Sequence, residues 1–390
     1  MTQTLKTSER LGVVDALRGF ALLAIVLLHN LEHYNLFLPL DYTLPAWLQT
    51  IDKYAWDTMF FLFAGKAYAT FSLLFGFSFY IQFHNAEKRG TDFRGRFAWR
   101  MCLLFLFAQL HALFYNGDIL LLYAVVGFAL IPVCKLKDKT VFWIAAILLL
   151  QPYEWGRAIY AMINLEYVPS TGHFIPYYKL AQEVTSNGSF FEVLRSNITD
   201  GQMYSNIWQV ENGRLFQTAA LFMFGMLLGR RKYFMKSEES LRFWKKMLTG
   251  AILAFIPLYC LKTFVPDLLT NPSVQIPYKI AVPSYANFAF MIILVSIFTL
   301  LWFKKEKGYG WQSLLIPYGR MSLTNYISQS IMGVIIYYGF GLAMYKYAGA
   351  TASLLIALLI FTVQLIFSRW WLARHKQGPL EFLWRKGTWI

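Results

Sequence analysis

Apolar runs close to 20 residues long recur from one end of this chain to the other, and that recurrence limits what it can fold into. About 20 apolar residues in a helix cross the ~30 Å core of a bilayer. The chain of 390 residues is 57% hydrophobic and only 15% charged, against about 25% charged in soluble domains. A secreted domain, a disordered scaffold and a disulfide mini-protein are excluded. Ten spans are expected, near 13–31, 58–83, 97–115, 118–134, 140–163, 213–230, 247–265, 283–303, 321–340 and 350–371. No run alternates every second residue, so barrel strands are not expected. The expected fold is an all-α, polytopic membrane helical bundle.

Charge sets the expected orientation. With a cytoplasmic N-terminus, 26 of the 36 Lys and Arg residues fall in inside segments and 7 in outside segments. That bias places both termini in the cytoplasm. The net charge of +15 therefore belongs to short loops, and nucleic acid is not an expected partner. The first apolar run follows Asp15 and Arg18 with no evident cleavage site, so it reads as a retained helix. Cys102, Cys134 and Cys260 have no metal-ligand spacing and an odd count, and are expected to be buried as small apolar residues. Residues 164–212 read as a long outside loop with a functional role or partial disorder. Residues 304–320 read as an amphipathic helix on the inner leaflet, with Trp311, Leu314 and Leu315 facing lipid.

Ionisable groups inside a bilayer are costly, so each is a functional candidate. Asp15 and Arg18 share a face at the inner end of the first span. His29 lies eleven residues further on, ~16 Å along the helix at 1.5 Å per residue. A helix-end ion pair with a snorkelling histidine is the plain alternative. Lys66, nine residues beyond Asp57, needs a carboxylate partner or an anion. His111 and Asp118 flank the turn signal Asn116–Gly117 and are expected to approach each other, though Asp118 also suits an N-cap. His29, Asp57, His111 and Asp118 fall at similar depth. A histidine backed by a carboxylate is what a general base needs. No ligand spacing supports a metal. In the ninth span Ser322, Asn325, Tyr326 and Gln329 form one polar stripe, which either glues helices or lines a cavity. Arg320 stands at its inner entry. The basic tail around Arg369, Arg374 and Lys376 suits anionic headgroups or a phosphate-rich donor.

Several of these stretches are shared with a known group. They are R-L-x-x-x-D-A-L-R-G-F-A at 10–21, F-S-x-L-F-G-x-S-F at 71–79 and H-A-x-x-x-x-G-D-I-L at 111–120. Y-x-x-x-G at 123–127, G-R-M-S-L-T-N-Y-x-x-Q-S at 319–330 and G-P-L-E-F-L-W-R at 378–385 complete the set. The chain resembles the YeiB-like family of bacterial multipass membrane proteins (domain of unknown function 418), which implies the bacterial inner membrane. More distantly, the D-x-x-R-G entry with His29 beyond it is similar to the transmembrane acyltransferase superfamily. That likeness implies an N-terminal four-helix acyltransferase-like part over 1–134 and a family-specific remainder over 135–390, within one membrane domain. It implies acyl-CoA as co-substrate, no permanently bound cofactor, and transfer to an envelope glycan or lipid. Asp15, Arg18, Lys66, Tyr123, Arg320, Asn325, Tyr326 and Gln329 would bind donor or substrate. His29, His111, Asp118 and Asp57 would serve catalysis. Membrane lipids and a second copy of the chain are further expected partners. A transporter or lipid exporter, and a non-catalytic partner or sensor, remain alternative readings.

Overall fold

The computed structural model describes residues 11–164, 166–167, 169–305 and 308–389. Among them there is no strand. The N-terminal half runs α1 (Gly12–Leu31), α2 (Ala46–Phe63), α3 (Ala67–Glu87), α4 (Arg94–Ala112), α5 (Leu120–Gly127), α6 (Leu130–Val133), α7 (Asp138–Leu149) and α8 (Pro152–Ile163). Then come α9 (Ile175–Asn187), α10 (Phe190–Ser196), a π-turn, α11 (Gln202–Glu211), α12 (Arg214–Arg230), α13 (Glu238–Phe264) and α14 (Pro272–Lys304). The chain closes with α15 (Gly310–Arg320), α16 (Ser322–Tyr337), α17 (Ala350–Leu372) and α18 (Pro379–Thr388).

Five segments are long and apolar enough to cross a membrane: 12–31, 46–87, 238–268, 272–304 and 350–372. The expected spans 97–115, 213–230 and 321–340 are single helices that fall short of that standard, and others carry breaks. The span 58–83 breaks at Ala64–Lys66, where Gly65 has φ +77°, a left-handed geometry that suits glycine. The span 140–163 breaks at Gln151, whose φ is +54°, and restarts on Pro152, a residue favoured at a helix start. Residues 118–134 divide into α5 and α6.

Three local expectations are corrected. The stretch 164–212 is largely helical as α9, α10 and α11, and its α10 opens with a Ser189–Glu192 capping box. In α15, Trp311 and Leu314 are exposed but Leu315 is buried against α1, because the helix packs into the bundle instead of only lying on it. Cys134 is buried, whereas Cys102 and Cys260 are exposed on outward faces of α4 and α13, where an apolar exterior accepts them.

Glycines set two close helix crossings. A Cβ on Gly19 would overlap the carbonyl oxygen of Leu315, and one on Gly319 that of Asp15. α1 and α15 therefore touch backbone to backbone, as small residues permit in membrane helices. Gly76 and Gly225 do the same for α3 and α12, against the carbonyls of Phe222 and Leu73. Core side chains fill in around these crossings. One apolar cluster joins Phe79, Phe97, Met101, Tyr123 and Phe222, and a second joins Leu17, Phe77, Leu221 and Phe298. A third, rich in tyrosine, joins Tyr34, Tyr115, Tyr337 and Tyr338 near the end of α1.

A side chain added at Gly225 or Gly319 has only backbone to displace. Gly225→Val and Gly319→Val are expected to cost at least ~1–3 kcal/mol by overpacking. Gly250 on α13 has open space around it, so Gly250→Ala should hold or raise stability by roughly 0.5–1 kcal/mol. Thermal unfolding in detergent distinguishes them; equal melting of all three variants would contradict the assigned crossings.

Candidate functional site

α4 ends at Ala112, and the chain turns through Asn116–Gly117 before α5. Asp118 sits just ahead of α5 and serves both sides of the turn. Its carboxylate accepts from the backbone N–H of Leu120 at 3.0 Å and of Leu121 at 3.2 Å. The same group accepts from His111 Nδ1 at 2.8 Å. The two readings of Asp118, cap and histidine partner, therefore both hold. The His111 and Asp118 side chains are 0% and 5% exposed. With Nδ1 donating to the carboxylate, Nε2 presents its lone pair, and it has no hydrogen-bond partner among the described residues. This is the arrangement of an oriented base.

Other groups converge here. The Tyr326 hydroxyl lies 3.5 Å from Asp118 Oδ1 and accepts from the Ile119 N–H at 3.3 Å. The His29 ring centre is 5.2 Å from that of Tyr115, and the His111 ring centre is 6.0 Å from the same tyrosine. His29 Nδ1 also has no partner among the described residues. Glu32, just past the end of α1, was not singled out in the sequence. Burial pushes its carboxyl up to about 7, against the pull of Arg214.

Next to Tyr326 lies a cavity of about 210 Å³. Phe71, Phe75, Phe79, Phe97 and Leu104 give it apolar walls, and Tyr68, Tyr123 and Tyr326 line it too. Arg18, Arg100, Arg320 and Glu381 also line it. Arg18 is held by Asp15 at 2.9 Å and by the Ser78 hydroxyl. Arg100 lies 4.1 Å over the Trp384 ring and donates to the Thr388 hydroxyl at 3.1 Å. Arg320 donates to the Lys376 carbonyl at 3.0 Å. The cavity thus runs between a guanidinium cluster and a tyrosine wall that touches Asp118. Its volume is below the ~300–1,000 Å³ usual for small-molecule sites, so it fits a slender chain better than a whole nucleotide. Ahead of α4, Arg94 hydrogen-bonds to Asp92 and holds that carboxyl down to about 2.

Not every expected residue comes to this site. Asp57 is exposed on α2, and no hydrogen bond or ion pair among the described residues joins it to either histidine. Its neighbour Asp52 has a role instead, accepting from the Ala350 and Thr351 N–H groups to cap α17. Among the described residues Lys66 pairs with no carboxylate. Its ammonium donates to the Phe61 carbonyl at 2.8 Å, at the end of α2, between the rings of Phe61 and Phe290. The polar stripe of α16 divides. Asn325 bonds to Ser368 at 3.0 Å, and Tyr318 joins Gln329 to Gln364, so these residues glue α16 to α17. Tyr326 alone of the stripe reaches both cavity and Asp118. Tyr123 lines the cavity, with its hydroxyl 2.6 Å from Ser72. Arg100 and Glu381 were the missed cavity residues. Arg100 lies inside α4. Glu381 does not pair with Arg385; it accepts from the Leu323 and Thr324 N–H groups at 2.7 and 3.1 Å, capping α16 from a distant helix.

The fold and site define an all-helical protein with membrane-length helices, in which a buried His–Asp pair adjoins a cavity mouthed by arginines. A family described as "Protein of unknown function (DUF418)" matches residues 228–390, the stretch that holds Arg320, Tyr326 and Glu381. Similarity to curated relatives covers nearly the whole chain. "Uncharacterized protein YxaH" of Bacillus subtilis is 28% identical over 98% of this chain and 95% of its own. "Uncharacterized 39.9 kDa protein in amylase 3'region" of Bacillus acidopullulyticus is 29% identical, over 97% and 94%. "Uncharacterized protein YeiB" of Escherichia coli is 28% identical, over 97% and 96%. The family read from the motifs is thus the one whose model matches residues 228–390, and a protein named YeiB is among the relatives. No solved structure matches it.

Two predictions follow from these carboxylates. Removing the cap with Glu381→Ala should cost about 1–2 kcal/mol, while Arg385→Ala should change melting little; equal effects would contradict the assigned cap. Glu32 holds its proton more tightly folded than unfolded. Its contribution is therefore full below pH 4.5 and is lost as pH rises through about 7, because the folded state then binds the extra proton. The melting temperature of the wild type should fall over that window relative to Glu32→Gln. Parallel curves would refute the shift.

Proposed function

We propose that this protein is a bacterial inner-membrane acyltransferase that takes an acyl group from cytoplasmic acyl-CoA and passes it to a hydroxyl of an envelope glycan or lipid. In this reading the bundle spans the membrane about ten times, its shorter helices counted, with both termini and the arginine end of the cavity in the cytoplasm. The observation that carries the reading is the adjacency of the buried His111–Asp118 pair to a cavity whose other end holds Arg18, Arg100 and Arg320. Guanidinium groups grip phosphate well. The cavity's volume of about 210 Å³ suits the pantetheine arm, with the nucleotide left at the mouth.

The chemistry then runs along the cavity. The acceptor oxygen attacks the thioester carbonyl while its proton passes to His111 Nε2. The carbon–sulfur bond breaks, and the coenzyme A thiolate takes up that proton as it leaves. Asp118 fixes the imidazole and faces the cation that forms. The Tyr326 hydroxyl is the nearby donor for the developing oxyanion. His29, whose ring centre is also within 5.2 Å of that of Tyr115, would orient the acceptor.

A transporter reading draws support from one feature, the break between α2 and α3 at Ala64–Lys66, since interrupted helices mark transport sites. Reconstituted protein supplied with labelled acyl-CoA on the basic-loop side separates the two. The acyltransferase reading predicts release of free coenzyme A that falls at least ~100-fold in His111→Ala, the usual scale for loss of a general base. Arg100→Ala should mainly raise the KM for the donor. No turnover with any acyl-CoA donor from a well-folded sample, together with substrate flux, would replace this reading with transport.

A further inference from the structure

Away from the cavity, the 164–212 stretch carries a second constellation. The Ser170 hydroxyl lies 2.6 Å from His173 Nε2. His173 Nδ1 lies 2.5 Å from Glu211 Oε1. Glu211, the last residue of α11, is 13% exposed on its side chain, whereas the His173 ring is 57% exposed. The carboxylate is therefore sheltered and the working edge of the imidazole is open.

The local backbone is organised around that carboxylate. Glu211 also accepts the N–H groups of Gly172 at 3.0 Å and His173 at 3.2 Å. This places the turn ahead of α9 directly over α11. Gly172 has φ +82°, a geometry that brings Ser170 and His173 to the same side and that a β-carbon would strain. Arg157, paired with Glu154 at 3.1 Å, donates to the Ser170 carbonyl at 3.0 Å, so a cation stands beside the serine.

We propose that Ser170, His173 and Glu211 form a nucleophile–base–orienter triad that cleaves carboxylic esters reaching this face from solution. With Nδ1 donating to Glu211, Nε2 accepts the Ser170 proton, which is the logic of an activated serine. Ser170 Oγ bonds to the ester carbonyl carbon and its proton moves to His173. The ester carbon–oxygen bond breaks, and the alcohol leaves with that proton. Water then attacks the acyl-serine, again giving its proton to His173, and the acid departs as Ser170 is restored. Arg157 holds the Ser170 backbone through its carbonyl and supplies a positive charge near the reacting serine. This activity is independent of the His111 site.

The test is labelling of the purified full-length protein in detergent with a fluorophosphonate, followed by peptide mapping. The triad predicts a covalent adduct on Ser170. The adduct disappears in Ser170→Ala, its rate falls at least ~100-fold in both His173→Ala and His173→Gln, and it persists in His111→Ala. Melting temperatures identify any variant that fails to fold, and two histidine substitutions keep the comparison open if one does. No adduct on Ser170 in the wild type, or an unchanged rate without His173, would overturn the proposal. Loss of coenzyme A turnover with the adduct intact would count only against the acyltransferase reading.

Discussion

The architecture depends on one constraint: a helix that begins inside an apolar bundle must find acceptors for its first N–H groups, because no water is there to take them. Three carboxylates meet that need. Asp118 starts α5, Glu381 starts α16 from 57 residues away, and Asp52 starts α17 from 298 residues away. Each carboxylate joins parts of the chain that apolar packing alone would leave free to slide. Two of them also reach the cavity region, Asp118 through Tyr326 and Glu381 as part of its lining. The candidate site and helix capping thus share the same atoms, and the geometry of His111 is set by the group that sets the start of α5.

The glycine crossings explain why the arginines meet. Backbone contact between Gly19 and Leu315, and between Gly319 and Asp15, draws α1 against α15. Arg18 and Arg320 each follow or precede one of these glycines by a single position, so the crossing that needs no side chain brings two cations to one cavity. α4 supplies the third, with α18 laid over it through Trp384 and Thr388. Like charges gathered in this way are costly unless an anion joins them. Asp15, Ser78 and the Lys376 carbonyl offset part of that cost.

Much of this was legible in the sequence. The His111–Asp118 pair follows from a turn signal between two apolar runs. Gly19 and Gly319 both lie in motif stretches, but 304–320 reads as a helix on the inner leaflet, so their α1–α15 crossing is seen only in the structure. What was not legible depended on long-range packing. Nothing in the spacing around Glu381 says that its partner is the start of α16 instead of Arg385. Asp52 and Asp57 are indistinguishable by sequence, yet only Asp52 reaches a helix terminus. Lys66 looked like a buried cation in search of an anion because periodicity gave no sign of the break at Gly65, whose exposed carbonyl end is what the ammonium satisfies. The helices of 164–212 were hidden by Pro and Gly residues that punctuate short helices and loops alike.

The central claim is that one path joins the arginine cluster to His111. Its most direct test is a structure of the protein bound to an acyl-CoA thioether, which cannot transfer its acyl group. The account predicts phosphate density against Arg18, Arg100 and Arg320, with the sulfur end reaching toward Tyr326 and His111. Density for the analogue outside this cavity, with the arginines still holding only their protein partners, would contradict it.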